Sequence, residues 1–171
     1  MTAPQDPCPP PVSTGLLPVT GDTPKILILG SFPSQLSLRH ARYYGNPKNH
    51  FWRIMEALFD LDPALPYPER IGLLAEHHIA LWDVVASCSR PGSADAQITR
   101  PVFNDIAGFV ASHPTLRLIA LNGSTATRLY SRIAGTIAVP SVALPSTSPA
   151  NARMTPDEKI RRWSVIRDER E

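Results

Sequence analysis

The chain has 171 residues, 43% of them hydrophobic, and a formal net charge of +2. That length suits one domain with a real core, and no apolar run approaches the ~18 residues of a membrane-spanning helix. Its two cysteines, Cys8 and Cys88, are too few for a disulfide scaffold, a four-thiolate zinc site or an iron–sulfur cluster.

Seven of the 19 prolines precede Lys25 with no apolar periodicity between them. Residues 1–22 therefore read as a flexible arm, and 23–171 as the folded domain. The start has neither a basic stretch nor an apolar stretch of signal-peptide type, so the cytoplasm is the expected compartment.

Lys25–Leu29 is a short apolar run ending at Gly30, as a buried strand does. Asn46-Pro47 predicts a helix start, with Phe51, Trp52, Met55, Leu58 and Phe59 recurring on one face. A second helix is expected over 69–77, a strand over 79–85, a helix over 102–112 and a strand over 116–121. A helix over 124–133 and a strand within 137–144 follow. Thr155-Pro-Asp-Glu158 carries the signature of a capped helix start, predicting a closing helix to about residue 168. Alternating strands and helices predict an α/β fold: a three-layer αβα sandwich around a mainly parallel four-stranded sheet.

The charge is unevenly spread. Residues 25–53 hold five bases and no acid, 54–99 sum to −5, and 100–156 sum to +4. Two basic stretches flanking an acidic one hint at an anionic partner.

Parallel sheets place their sites at the carboxyl ends of the strands. The rule selects Gly30-Ser-Phe-Pro-Ser34, Trp82-Asp83, Asn122-Gly-Ser124 and Leu144-Pro-Ser-Thr-Ser148. These are rich in hydroxyls and amides and lack metal-ligand spacing, so no metal and no cofactor is expected. Gly30–Ser34 is neither a nucleophile elbow nor a phosphate loop, lacking G-x-S-x-G and G-K-[ST]. A small-molecule hydrolase acting through Ser31 or Ser146 would need an activating histidine, and none sits in these segments.

Taken in order, Gly30-Ser-Phe-Pro, Tyr43-Tyr-Gly-Asn-Pro-Lys-Asn-His-Phe-Trp52, Leu81-Trp-Asp-Val84, Leu121-Asn-Gly-Ser-Thr-Ala126 and Leu144-Pro-Ser-Thr-Ser-Pro149 resemble the uracil-DNA glycosylase superfamily. The pattern is most similar to its deoxyinosine (hypoxanthine-DNA) branch, over about residues 25–163, and Cys88-Ser-Arg-Pro-Gly-Ser93 also fits that branch. Most members place Asp or Asn before the motif proline to position water, where this chain has Phe32. Many begin the later motif with His, where this chain has Leu144. Both replacements fit the deoxyinosine branch and weigh against uracil as the main substrate.

The resemblance implies roles for residues in this sequence. Tyr44 matches the aromatic that stacks on a flipped base, with Phe32 beside it in the base pocket. With Phe32 displacing the usual water-holder, Asn49 is the expected residue to orient water or contact the sugar. Asp83, with Asn49 the expected catalytic pair, stands where relatives often keep an Asn that bonds the base; an ionised carboxylate there accepts the N1–H of hypoxanthine. Ser31, Ser34, Asn122, Ser124, Ser146, Ser148 and Arg153 are the expected DNA phosphate contacts.

The implied activity is monofunctional excision of deaminated bases, hypoxanthine favoured, from double-stranded DNA by a monomer with no membrane or metal partner. No motif lysine suits a Schiff base. The alternatives are a uracil or mismatch-specific uracil-DNA glycosylase, and a non-catalytic damaged-DNA-binding protein.

Overall fold

A computed structural model describes residues 11–169. Its centre is a parallel sheet of four strands: β2 (Ile26–Gly30), β3 (Ile79–Asp83), β6 (Leu118–Asn122) and β7 (Ser141–Leu144), in the order β3-β2-β6-β7. All five residues of β2 are buried because both its edges and both its faces are covered. Its side chains alternate, as strand geometry dictates. Ile26 and Ile28 join one core with Phe51, Met55, Leu74 and Trp163. Leu27 and Leu29 join the other with Phe109, Ile119, Leu129 and Tyr130.

The first core lies under helices α2 (Phe51–Phe59), α3 (Tyr67–Glu76), α6 (Pro156–Trp163) and α7 (Val165–Asp168). The second lies under α4 (Ile106–Ser112) and α5 (Ser124–Tyr130). The three layers are those expected from the sequence. The cap of α6 also forms as expected: Thr155 Oγ1 accepts from the Glu158 amide at 3.2 Å, and Glu158 Oε2 accepts from the Thr155 amide at 2.7 Å.

Several expectations need correction. The run 79–85 is not one strand. Strand β3 ends at Asp83; the chain stays bonded beside β2 through Val84 N–H to Gly30 O and Val85 N–H to Ser31 O, and then leaves as β4 (Val85–Ser89). That strand is the middle of a second, antiparallel sheet with β1 (Val12–Thr14) and β5 (Thr99–Phe103). The helix expected over 102–112 therefore begins only at Ile106, where Asp105 Oδ1 caps the Gly108 amide at 2.9 Å.

The helix expected from Asn46-Pro47 begins instead at Phe51. Side chains offered the backbone an alternative first: Asn46 Oδ1 accepts from Lys48 N–H, and Asn49 Oδ1 accepts from Phe51 N–H. A short helix α1 (Gln35–His40), capped by Ser34, was not expected at all. The part of the arm within the described residues, 11–22, packs onto the domain. Beyond the β1 pairing, Val19 bridges Leu81, Tyr43 Oη donates to Leu17 O at 2.8 Å, and Trp82 Nε1 donates to Leu16 O at 3.2 Å. Sparse apolar periodicity hid this because the segment is tied by its backbone carbonyls rather than by an amphipathic face. Residues 1–10 of the expected arm, including Cys8, lie outside the described residues.

Candidate active site

The carboxyl ends of all four parallel strands open onto one cleft of about 1150 Å³. Every residue singled out from the sequence lines it: Ser31, Phe32 and Ser34 after β2, Tyr44 and Asn49 before α2, Asp83 ending β3, Asn122 and Ser124 at β6, and Ser146, Ser148 and Arg153 after β7. They do not all have the same freedom to act.

Asp83 sits opposite Gly30 in register and is 5% exposed. A Cβ on Gly30 would lie 2.5 Å from Asp83 Oδ1, so glycine is what lets this carboxylate lie against β2. Asp83 Oδ2 is buried with no hydrogen-bond partner. Burial, reinforced by the Asp95 charge and opposed by Arg90, pushes its carboxyl up to about 7. A buried acid poised to exchange a proton near neutrality is a functional signature.

Sequence reasoning missed the groups around it. Asp95, in a 3-10 turn at 95–97, accepts a hydrogen bond from Ser31 Oγ at 2.8 Å and lines the cleft. Arg90 is buried, lies 4.9 Å over the Phe32 ring and donates through Nη2 to Pro33 O, while its Nε and Nη1 have no partner. Arg90 lies in the Cys88–Ser93 stretch that fits the deoxyinosine branch, but the sequence shows no role for it, and nothing local ties it or Asp95, five residues on, to Asp83. The Ser31 hydroxyl, expected at a phosphate, is thereby engaged within the protein. Ser34 is too: its hydroxyl caps α1, accepting from the Ser37 amide and donating to Ser37 Oγ, both at 3.1 Å.

Asn122 is engaged as well. Its Nδ2 donates to Tyr44 Oη at 3.1 Å and Thr147 Oγ1 at 3.0 Å, and its Oδ1 accepts from Thr147 N–H at 2.9 Å. With both amide hydrogens committed it has no donor for a phosphate; it braces the tyrosine against the serine loop. Gly123, at φ 97°, packs so closely that a Cβ there would meet Ser146 Cβ at 2.9 Å. Tyr44 is held on a left-handed backbone, φ 53°, an unusual conformation for a bulky residue. Its ring stacks on Phe51, centroids 3.9 Å apart and planes 16° apart, which fixes it against the cleft.

Asn49 has its Oδ1 engaged by Phe51 N–H, leaving its Nδ2 hydrogens for a ligand in the cleft. Ser146 and Ser148 use their hydroxyl oxygens to accept from Ser148 N–H and Ala150 N–H, each at 3.2 Å. Their O–H groups are left to donate. Arg153 at the rim is joined by Arg128 and Arg162, which the sequence reading passed over. Behind the loop, Lys159 is fully buried, its Nζ 3.2 Å from His50 Nδ1 and donating to Ser148 O at 3.3 Å. Burial lowers its ammonium pKa. It is not part of the cleft lining.

Among the described residues no group of three or more His, Cys, Asp or Glu could hold a metal, and no helix is long and apolar enough to cross a membrane. Cys88 is a buried free thiol.

Residues 17–167 match the family model described as the uracil DNA glycosylase superfamily. Among curated proteins, the chain is 36% identical over 156 residues to a hypoxanthine DNA glycosylase of Methanosarcina acetivorans, covering 91% of this chain and 98% of that one. It is 33% identical over 146 residues to a hypoxanthine DNA glycosylase of Methanosarcina barkeri, covering 85% and 92%. Among solved structures, the solution NMR structure of a candidate uracil DNA glycosylase from Methanosarcina acetivorans superimposes with a TM-score of 0.82 at 34% identity, over 94% of this chain and 99% of that one.

Proposed function

Because the chain belongs to the uracil DNA glycosylase superfamily, we propose that it is a monofunctional DNA glycosylase that hydrolyses the N-glycosidic bond of deaminated nucleotides, hypoxanthine first. The observation that carries this reading is the convergence of the four strand-end motifs on one cleft whose floor holds the buried carboxyl of Asp83, its Oδ2 without a hydrogen-bond partner. Its partner is double-stranded DNA carrying the altered base, engaged by a monomer in the cytoplasm.

A base inside a duplex is out of reach, so the nucleotide leaves the stack at a cost of a few kcal/mol and enters the cleft. Tyr44, clamped by Phe51 and Asn122, gives the base a rigid aromatic wall beside Phe32. Asp83, when ionised, accepts from the N1–H of hypoxanthine. The free amide hydrogens of Asn49 orient water or the sugar. Hydrolysis then proceeds through an oxocarbenium-like sugar. The C1′–N9 bond breaks with its electron pair leaving on the purine, which gains a proton. The water oxygen joins C1′ and loses one. Ser124, Ser146, Ser148 and Arg153 hold the flanking phosphates.

Lys159 is the amine most altered by burial, yet it lies outside the cleft lining. A Schiff base with the abasic sugar is therefore not expected, and borohydride should trap no covalent DNA adduct. Alkaline strand scission on duplexes carrying inosine, xanthine or uracil tests the function. The expected order puts inosine fastest. Binding without any abasic product would reduce the protein to a damage-recognition module, and faster excision of uracil would move the substrate assignment.

A further inference from the structure

A second pocket of about 470 Å³ lies beside the cleft, and Tyr43, Tyr44, Asn46 and Asn49 line both. Its remaining lining includes His40, Arg42, Trp52, Arg53, Tyr67 and Arg70 and contains no Asp or Glu. Three guanidiniums thus share a pocket without a lining carboxylate. Arg53 reaches out to Asp157 at 3.7 Å, an exposed pair of little strength. Arg42 and Arg70 have no carboxylate partner among the described residues.

The arginines are also positioned in advance. Arg70 lies 4.3 Å over the Trp52 ring and 5.6 Å over Tyr67, and Arg42 lies 5.6 Å over the same Tyr67 ring from its own segment. Tyr67 is itself fixed, its hydroxyl accepting from Tyr43 N–H at 2.9 Å. The Arg70 Nε is buried with no hydrogen-bond partner. Burial pushes the Arg70 pKa down, opposed by Tyr67 and reinforced to a lesser degree by the Arg42 charge. Arg42 and Arg70 thus bring two positive charges to one aromatic ring, with no carboxylate in the pocket lining to offset them. A stacked guanidinium presents its edge, the geometry that suits phosphate oxygens.

The occupant follows from the shared wall. Because the same four residues line both cavities, the two adjoin. A strand that places one nucleotide in the cleft would run on past the pocket, and the group such a strand presents on each side of that nucleotide is a phosphodiester. We infer that the Arg42–Arg70 pocket is a phosphate-binding site for the DNA strand that carries the flipped nucleotide, gripping a phosphodiester next to that nucleotide. This rests on the proposed glycosylase function. It adds a contact on the Tyr43–Asn49 side of the cleft, opposite in character to the hydroxyl loop after β7. Such a grip on both sides of a flipped nucleotide would hold it out of the stack.

The test is a scan of inosine duplexes in which single phosphates are replaced by neutral methylphosphonates, bound by the full chain and by the Arg42→Gln, Arg70→Gln and Arg70→Lys variants. Excision of unmodified inosine duplex by the full chain is measured alongside, so that failure of the glycosylase reading is seen separately. One phosphate of the damaged strand adjoining inosine should cost the full chain about five- to tenfold in affinity when neutralised. Arg42→Gln should cost a similar factor and then be insensitive to that same phosphate. Arg70→Lys should keep part of the affinity while losing the bidentate fork, and it guards against a packing loss at Trp52 in Arg70→Gln. Arg117→Gln, at the far end of β6, should leave the scan unchanged. Independent, additive effects of every phosphate and arginine would overturn the inference. So would coupling that maps to the complementary strand, or inorganic phosphate that fills the pocket while DNA shows no coupling.

Discussion

The floor of the cleft and its rim are built on opposite terms. At the floor Asp83 is deeply buried beside Asp95, with Arg90 buried behind the lining, and Asp83 Oδ2 and two Arg90 nitrogens remain without hydrogen bonds. At the rim Ser146 and Ser148 complete their local turns, and Arg128, Arg153 and Arg162 are spaced around the opening. Buried polar groups left unpaired are costly, whereas exposed ones are cheap. The floor therefore stores free energy for a ligand to recover, and the rim offers charge at little cost to folding. Changes at the floor should alter the chemical step and stability; changes at the rim should alter affinity and its salt dependence.

The largest separation is expected from Asn49→Ala, which should slow single-turnover excision by about 100-fold or more while leaving duplex affinity within a fewfold of the parent. Asn49 Oδ1 also receives Phe51 N–H, so Asn49→Asp, which keeps that acceptor, separates loss of the amide donor from loss of the turn. Gly30→Ala comes next. Its new Cβ cannot coexist with Asp83 Oδ1, and the forced shift should lower both excision and stability, the latter by about 1–3 kcal/mol.

Asp83→Asn sharpens the contrast through pH. The native carboxyl titrates at about 7 and the unfolded one near its ordinary value of 3.8, so the native state holds a proton that the unfolded state has lost between those values. Stability should therefore fall as pH rises through that window, by at most about 1.4 kcal/mol per pH unit. Denaturant melts at pH 5 and pH 8 should show this slope in the parent and not in the variant. Because the ionised form accepts from hypoxanthine, kcat/KM should rise with pH through about 7 in the parent and flatten in Asp83→Asn.

The smallest effect belongs to the rim. Arg153→Gln should weaken binding evenly across sequences and reduce the slope of log affinity against log salt by about one, with the rate of bound substrate nearly preserved. A large loss of rate there, with affinity intact, would erase the distinction between floor and rim.

The sequence reading reached the layers and the cleft because both follow from periodicity and from the strand-end rule. Ile26–Leu29 alternates between two cores, and Gly30, Asp83, Asn122 and Leu144 mark where four strands stop. It failed where local chemistry competes with propensity. The Asx turns at Asn46 and Asn49 delay α2, and the switch after Asp83 sends one apolar run into two sheets. It also could not tell which hydroxyls and amides were already spent. Ser31, Ser34 and Asn122 are committed to Asp95, Ser37 and the Tyr44–Thr147 pair, contacts spanning 3 to 78 residues. Arg90, Asp95, Lys159 and the second arginine pocket were invisible for the same reason: each acquires its meaning from a neighbour brought close by the fold.

The central claim is that the cleft does chemistry rather than recognition alone. It is tested most directly by measuring, on one inosine duplex, both the dissociation constant and the single-turnover yield of alkali-labile abasic sites for the parent and Asn49→Ala. The account predicts stoichiometric abasic product from the parent, and tight binding with strongly slowed cleavage of the glycosidic bond in the variant. Intact inosine after prolonged incubation with the saturating parent protein, or an Asn49→Ala variant that excises at the parent rate, would contradict it.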